Sequence, residues 1–178
     1  MSDLSKSPIS QELIDALLET LDQGEVMLHV LDDDQYSKHL PSAMNASIGG
    51  HYRHCLEHFI SLIRSLEAED LNYDARDRDS SLENDRFAAL NMTRQMKRDF
   101  SDRLSGLLDR RIKVINRVNY SVKAPQVVES TLGREIMYVV AHAVHHYALI
   151  RLMGGLLEIA LPKDFGVAPS TVAFRSGR

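Results

Sequence analysis

The spacing of apolar residues along the chain predicts four long helices. Apolar side chains recur three and four positions apart over residues 9–31, 47–67, 82–108 and 131–153. Residues at this spacing share one face of a helix, and that face is then available to bury. The intervening segments are charged, or contain proline or glycine, which favour turns.

Residues typical of helix starts precede several of these segments. Ser10 opens the first, and Ser80 with Glu83 matches a capping box ahead of the third. Ser130 or Thr131 is placed to cap the fourth helix. The boundaries of the predicted helices therefore have a local chemical basis as well as a periodic one.

Two connections and the tail differ from the helices. Residues 68–80 are densely charged and are interpreted as a loop, whereas residues 110–122 are rich in β-branched side chains and predict extended chain or a short two-stranded piece. Residues 161–178 carry few helix signals beyond one short turn. The pattern predicts an all-α, up-and-down four-helix bundle with a short extended insert between the third and fourth helices, as a single domain over residues 1–178.

Composition narrows the function classes. The 178 residues are 44% hydrophobic and 26% charged, with a net charge of −4, so no basic stripe suggests nucleic-acid binding. No apolar run reaches the roughly 20 residues that cross a bilayer, and the first ten residues are too polar for a signal peptide. Cys55, the single cysteine, cannot form an internal disulfide and is interpreted as a buried hydrophobe. A cytoplasmic protein is predicted.

Histidines are the candidate functional residues. Six of the eight lie on two predicted helices. Histidine is the commonest protein ligand of transition metals, and residues three and four apart on a helix can reach one ion. The spacing predicts a metal site between the second and fourth predicted helices. These histidines are His51, His54, His58, His142, His145 and His146.

Spacing favours particular ligands without selecting all of them. His142 and His146 form an HxxxH pair, and the third ligand comes from His51, His54 or His58. Alanine follows His142, so the glutamate of an HExxH peptidase is missing. Neither histidine segment contains the Glu-x-x-His of di-iron bundles, which favours a single ion.

The segments SIGGHYRHCLEHF and HAVHHYALI together resemble the DinB-like superfamily of metal-binding helical bundles. In that family a serine or threonine begins the second helix and a ligand follows seven residues later, which leads from Ser47 to His54. The resemblance implies His54, His142 and His146 as ligands. It also implies a homodimer and a low-molecular-weight thiol as co-substrate.

Three neutral histidines leave coordination positions open, as in catalytic sites, and suit zinc, nickel, iron or manganese. The predicted function is a metal-dependent transferase or hydrolase acting on a small molecule. The resemblance implies a metal-bound thiolate that attacks an electrophile. The alternative is a non-catalytic metal-binding or stress-response protein whose metal is structural or sensed.

The loop from Tyr73 to Arg78 forms a second polar cluster. Arg76 or Arg78 is able to hold an anionic substrate, although a loop pinned by local ion pairs is the favoured interpretation. The same two interpretations apply to Arg53 and Arg134, and a local ion pair is again the favoured one. Glu57, three residues after His54, is interpreted as a solvated or salt-bridged carboxylate rather than a catalytic one.

Overall fold

The computed structural model describes the backbone of residues 8–121 and 123–177, and the side chains of residues 11–121 and 123–177. The polar segment 1–7, the helix-start signal at Ser10 and Val122 of the extended insert lie outside these side-chain descriptions.

Within those residues, seven α-helices and three strands follow one another. They are α1 (Pro8–Val30), α2 (Asp33–Ser37), α3 (Ile48–Arg64), β1 (Asp70–Asn72), α4 (Ser80–Asn84), α5 (Arg86–Arg103), β2 (Arg111–Asn116), β3 (Gln126–Thr131), α6 (Leu132–Leu156) and α7 (Pro169–Arg175). A 3-10 turn at Pro41–Ala43 separates α2 from α3.

The four long helices α1, α3, α5 and α6 correspond to the four predicted ones. Each packs against two others, α3 against α5 and α6, and α1 against the same two. Their shared interior contains fully buried apolar side chains such as Leu21, Leu56 and Ile136. Thr131 caps α6 and Ser47 caps α3 through hydrogen bonds to backbone N–H groups, as expected for these residue types.

The all-α fold class was wrong, because three strands form a mixed sheet in the order β1-β2-β3. β1 pairs parallel to β2, and β2 pairs antiparallel to β3. β1 lies in the charged stretch interpreted as a loop. Its three residues are too few for a periodic pattern, and the pairing of Leu71 with Val114 defines it. β2 lies within the predicted extended insert, whereas β3 begins beyond it.

The third predicted helix is broken in two at Asp85. Asp79, rather than the predicted Ser80, caps α4, and the Asp85 side chain accepts hydrogen bonds from the N–H groups of Phe87 and Ala88 at the start of α5. Aspartate competes for backbone donors in this way and favours caps over helix interiors. The break turns α4 onto α3.

Gly49 makes this contact between α3 and α4 possible. A Cβ atom there would collide with the backbone carbonyl of Glu83. The glycine therefore lets α4 lie against the first turn of α3. Close approach of α4 brings the Glu83 side chain to Arg53 on α3.

Among the described residues, α6 alone is long and apolar enough to cross a membrane by length and composition. The same helix carries three histidines and packs against α1 and α3. The single-domain interpretation stays a prediction.

Candidate metal centre

Packing of α3 against α6 brings most of the histidine rings together. The ring centroids of His54 and His142 are 4.9 Å apart, those of His54 and His146 are 4.6 Å apart, and those of His142 and His146 are 4.6 Å apart. All three rings are half-buried. Two faces predicted separately from helical spacing thus meet at one place.

These three histidines present nitrogens to a common point. Each of His54, His142 and His146 has a ring nitrogen within 4.8 Å of the others, and the Nε2 atoms of His54 and His142 are 3.0 Å apart. Two imidazole nitrogens that bind one ion at about 2.0–2.1 Å are themselves separated by roughly 3 Å. The donor set therefore fits a first-row divalent ion. That such an ion binds stays a prediction.

His51 supports the centre from outside it. Its Nδ1 lies 3.0 Å from Nδ1 of His146. When Nδ1 of His146 carries the ring proton and donates it to Nδ1 of His51, the Nε2 lone pair of His146 is free to act as a ligand. Partners of this kind fix the tautomer and orientation of a metal-binding imidazole.

His58 is buried and has a different role. Its Nδ1 lies 2.9 Å from the backbone carbonyl oxygen of His54, which only accepts, so Nδ1 carries the proton. Its ring stacks on His142 with centroids 4.1 Å apart. His58 therefore holds the His142 ring in place by packing. His145 is exposed, with its ring 5.3 Å from that of His146.

The environment keeps these imidazoles neutral. The pKa values of His142 and His146 are lowered to about 4, mainly by burial and further by the neighbouring imidazoles. Burial likewise lowers the pKa of His58 to about 4, and burial with the nearby His58 and His146 lowers that of His54 to about 2. Neutral imidazole is the form that binds metal ions.

Charged side chains border the histidines on one side. The Arg53 guanidinium pairs with Glu83 at 2.6 Å, and its Nε lies 3.8 Å from Oε1 of Glu57. Arg76 comes from the loop after β1 and contacts Nδ1 of His54 through Nη1. Glu57 is only 4% exposed, yet its Oε1 has no hydrogen-bond partner among the described residues. This side of the centre opens into a cleft of about 510 Å³.

Aromatic and hydrogen-bonded residues border the opposite side. Tyr73 stacks on His58 with centroids 5.2 Å apart, and Tyr138 stacks on His142 at 5.8 Å. The Tyr73 hydroxyl donates to the buried carboxylate of Glu135 at 2.9 Å. The roles of Tyr138 and Glu135 were not predicted. Tyr138 lies four residues before His142, so its shared helical face was the available signal.

The loop from Tyr73 to Arg78 divides between the two predicted roles. Asp77 pairs with Arg64 at 2.6 Å, as a loop pinned by ion pairs requires. Arg76 and Arg78 instead line the cleft beside the histidines. Arg134 pairs with Glu135. Cys55 is fully buried, and burial raises the pKa of its thiol, which fits its interpretation as a core residue.

Comparison with known proteins leads away from the family resemblance. No family model matches the chain, and no solved structure matches it. The chain is similar to a protein named FK506-binding protein 5 from Rhizopus delemar, with 35% identity over 102 residues. The similarity covers 57% of this chain and 26% of that protein, so the chain spans about a quarter of this relative's length.

The assignment to the DinB-like superfamily was therefore wrong, because the similarity points to a protein of a different name. A pair of short histidine motifs on two helices is a weak family signature, since any two packed helices can acquire it. The structure is that of a mixed α/β protein with a three-histidine candidate metal centre.

Proposed function

We propose that this chain binds one divalent transition-metal ion through His54, His142 and His146 and acts as a metal-dependent hydrolase or group-transfer enzyme. The observation that carries the proposal is the convergence of three neutral imidazole nitrogens within 4.8 Å of one another. Zinc, nickel, iron and manganese all accept such ligands, in an environment that keeps the rings unprotonated.

A divalent ion held by three neutral ligands supplies Lewis-acid catalysis and makes water a stronger acid near neutral pH. The protein's own residues do the rest. His51 orients His146, His58 packs against His142, and the adjoining cleft provides room for a small-molecule substrate. The charged side chains of the cleft bind and orient that substrate.

Two predictions lose their support because the DinB-like assignment was wrong. The thiol co-substrate and the homodimer depended on the DinB-like resemblance, and the proposed chemistry requires neither. The ligand in the relative's name is not carried over, because the similarity covers only 26% of that protein. A cytoplasmic location stays a prediction.

The direct test is metal content by mass spectrometry on untagged protein, before and after chelation and reconstitution. We expect about one ion per chain in the wild type, as in mononuclear three-histidine sites, and essentially none in His142→Ala. His29→Ala is the matched control, because His29 is exposed on α1 and lies outside the cluster. Equal metal content in His142→Ala and the wild type would contradict the proposal.

Chelation also separates the enzyme from a structural metal protein. The core of the protein consists of apolar side chains such as Leu56 and Ile136 that need no metal to pack. We therefore expect the far-ultraviolet circular dichroism to survive chelation. Cooperative unfolding on metal removal would favour the structural alternative, since structural ions contribute folding free energy directly.

A further inference from the structure

Arg76 is a half-buried cation without a close counter-charge. Its side chain is 22% exposed, and the nearest carboxylate oxygen, Oε2 of Glu57, is 3.8 Å away. Its short contact is with Nδ1 of His54, a neutral imidazole. A guanidinium does not lose its proton in proteins, so this side chain keeps a charge that its surroundings leave largely unbalanced.

Other half-buried arginines have close acceptors, which are carboxylates for Arg53 and Arg86 and backbone carbonyl oxygens for Arg110. Arg53 is 25% exposed and contacts Glu83 at 2.6 Å, and Arg86 is 13% exposed and contacts Asp33 at 2.7 Å. The fold thus provides a carboxylate where it buries these two guanidinium groups. At Arg76 the described residues provide no carboxylate within hydrogen-bonding distance of the guanidinium group.

Unpaired polar atoms surround the same point. Arg53 Nε, Glu57 Oε1 and Arg76 Nε are buried without a hydrogen-bond partner among the described residues. The single Glu57 carboxylate lies 3.8 Å from each of the two arginines, so it is shared between them. Buried polar groups are normally hydrogen-bonded, and unpaired ones call for an explanation such as a ligand.

The position of Arg76 beside His54 ties this unbalanced charge to the metal centre. When His54 binds an ion through Nε2, its Nδ1 carries the ring proton. The guanidinium then loses its acceptor at His54 and needs another. The cleft that Arg76 lines also contains His51, His146 and two further arginines, Arg53 and Arg78.

We propose that Arg76 binds the anionic group of the substrate, which therefore carries a carboxylate or a phosphate. The planar guanidinium fork donates two parallel hydrogen bonds to either group. The proposal rests on the proposed function, because it places the anion beside the metal-binding imidazoles. Arg78, which lines the same cleft, adds positive charge around the anion.

The test is to titrate the protein with inorganic phosphate and, separately, with acetate. Protein-detected NMR measures the binding. Both chelator-treated and zinc-loaded protein are titrated. The variants are Arg76→Gln, Arg76→Lys and the control Arg98→Gln, which removes the same charge from an exposed arginine whose described partner is Gln95. Metal content is measured on every variant.

We expect Arg76→Gln to weaken anion binding about tenfold or more, and Arg76→Lys to give an intermediate loss, because lysine keeps the charge without the fork. Arg98→Gln should stay within about twofold of the wild type, since exposed charges are screened. Tighter binding of phosphate indicates a phosphate-bearing substrate, and tighter binding of acetate a carboxylate.

Two results would overturn the proposal: equal anion affinity in Arg76→Gln and the wild type, or no saturable binding of either anion by the wild type. Anion binding that occurs only in zinc-loaded protein and is unchanged in Arg76→Gln is a case of the first result and also overturns the proposal. Absence of metal from a wild type that still binds anions through Arg76 would contradict the proposed function alone. Normal metal content in Arg76→Gln shows that its folded metal centre is intact.

Discussion

Two buried glutamates lie on the two histidine-bearing helices, and their surroundings differ. Glu135 on α6 is 2% exposed and accepts hydrogen bonds from Ser130 at 2.6 Å and from Tyr73 at 2.9 Å. Glu57 on α3 is 4% exposed, and its Oε1 has no such partner among the described residues. Burial alone therefore does not distinguish a hydrogen-bonded structural carboxylate from one beside the candidate metal centre.

The difference divides the surroundings of the candidate metal centre into two parts. On the Glu135 side, hydrogen bonds and stacked rings are complete and hold the histidines in place. On the Glu57 side, two arginines share one carboxylate at 3.8 Å. A complete network contributes stability, whereas an incomplete one lowers it and is retained where a ligand completes it.

The largest expected effect is on stability at Glu135. Glu135→Ala leaves Tyr73 and Ser130 without their acceptor, and we expect a loss of about 3 kcal/mol in the free energy of unfolding. Glu57→Ala should cost less than Glu135→Ala, because it removes ion pairs at 3.8 Å rather than hydrogen bonds. Urea denaturation measures both. A larger loss for Glu57→Ala would remove the contrast between the two sides.

Acid should destabilise the metal-free protein next most strongly. The pKa values of His58, His142 and His146 are lowered to about 4 in the folded state, so the unfolded chain binds more protons below the ordinary value of about 6.5. Stability is therefore full above about pH 6.5 and falls as the pH drops toward about 4. The half-exposed rings limit the size of the loss through solvent screening.

Urea midpoints measured between pH 7 and pH 4 after chelation check this dependence. His58→Gln, which removes one titrating ring, should lose less stability over that window than the wild type. Carboxylates titrate equally in both proteins and cancel in the comparison. The same acid slope in both would show that His58 is not kept neutral by burial.

Metal affinity should respond to His51 although it is not one of the three proposed ligands. His51→Ala removes the partner of Nδ1 of His146, and we expect a loss of about 10-fold to 100-fold in affinity. His145→Ala should have a smaller effect, because its exposed side chain lies beside His146 rather than in the cluster. Competition titration with a chromogenic chelator measures both, and the reverse order would reassign the supporting residue.

The smallest predicted effect concerns the Tyr73 hydroxyl. Tyr73→Phe keeps the ring that stacks on His58 but removes one of the hydrogen bonds to Glu135, and we expect a loss of about 1 kcal/mol. Thermal and urea unfolding measure it. A neutral result would show that the remaining donors to Glu135, including Ser130, are sufficient.

Local sequence determined the long helices and the faces that carry the histidines. The predicted helix at residues 9–31 corresponds to α1 (Pro8–Val30), and Ser47 and Thr131 cap α3 and α6. These features depend on residues within one or two turns of each other. The i, i+4 spacing of His142 and His146 is equally local, so their shared face was predictable.

Tertiary structure alone decided the sheet, the surroundings of the centre and the position of Arg76. β1 exists because Leu71 pairs with Val114, a contact between distant parts of the chain. His51, His54 and His58 are equivalent by helical spacing, and only packing against α6 separates a candidate ligand from a supporting ring. Likewise, a charged loop does not reveal which arginine lacks a close carboxylate, because that depends on partners supplied by other elements.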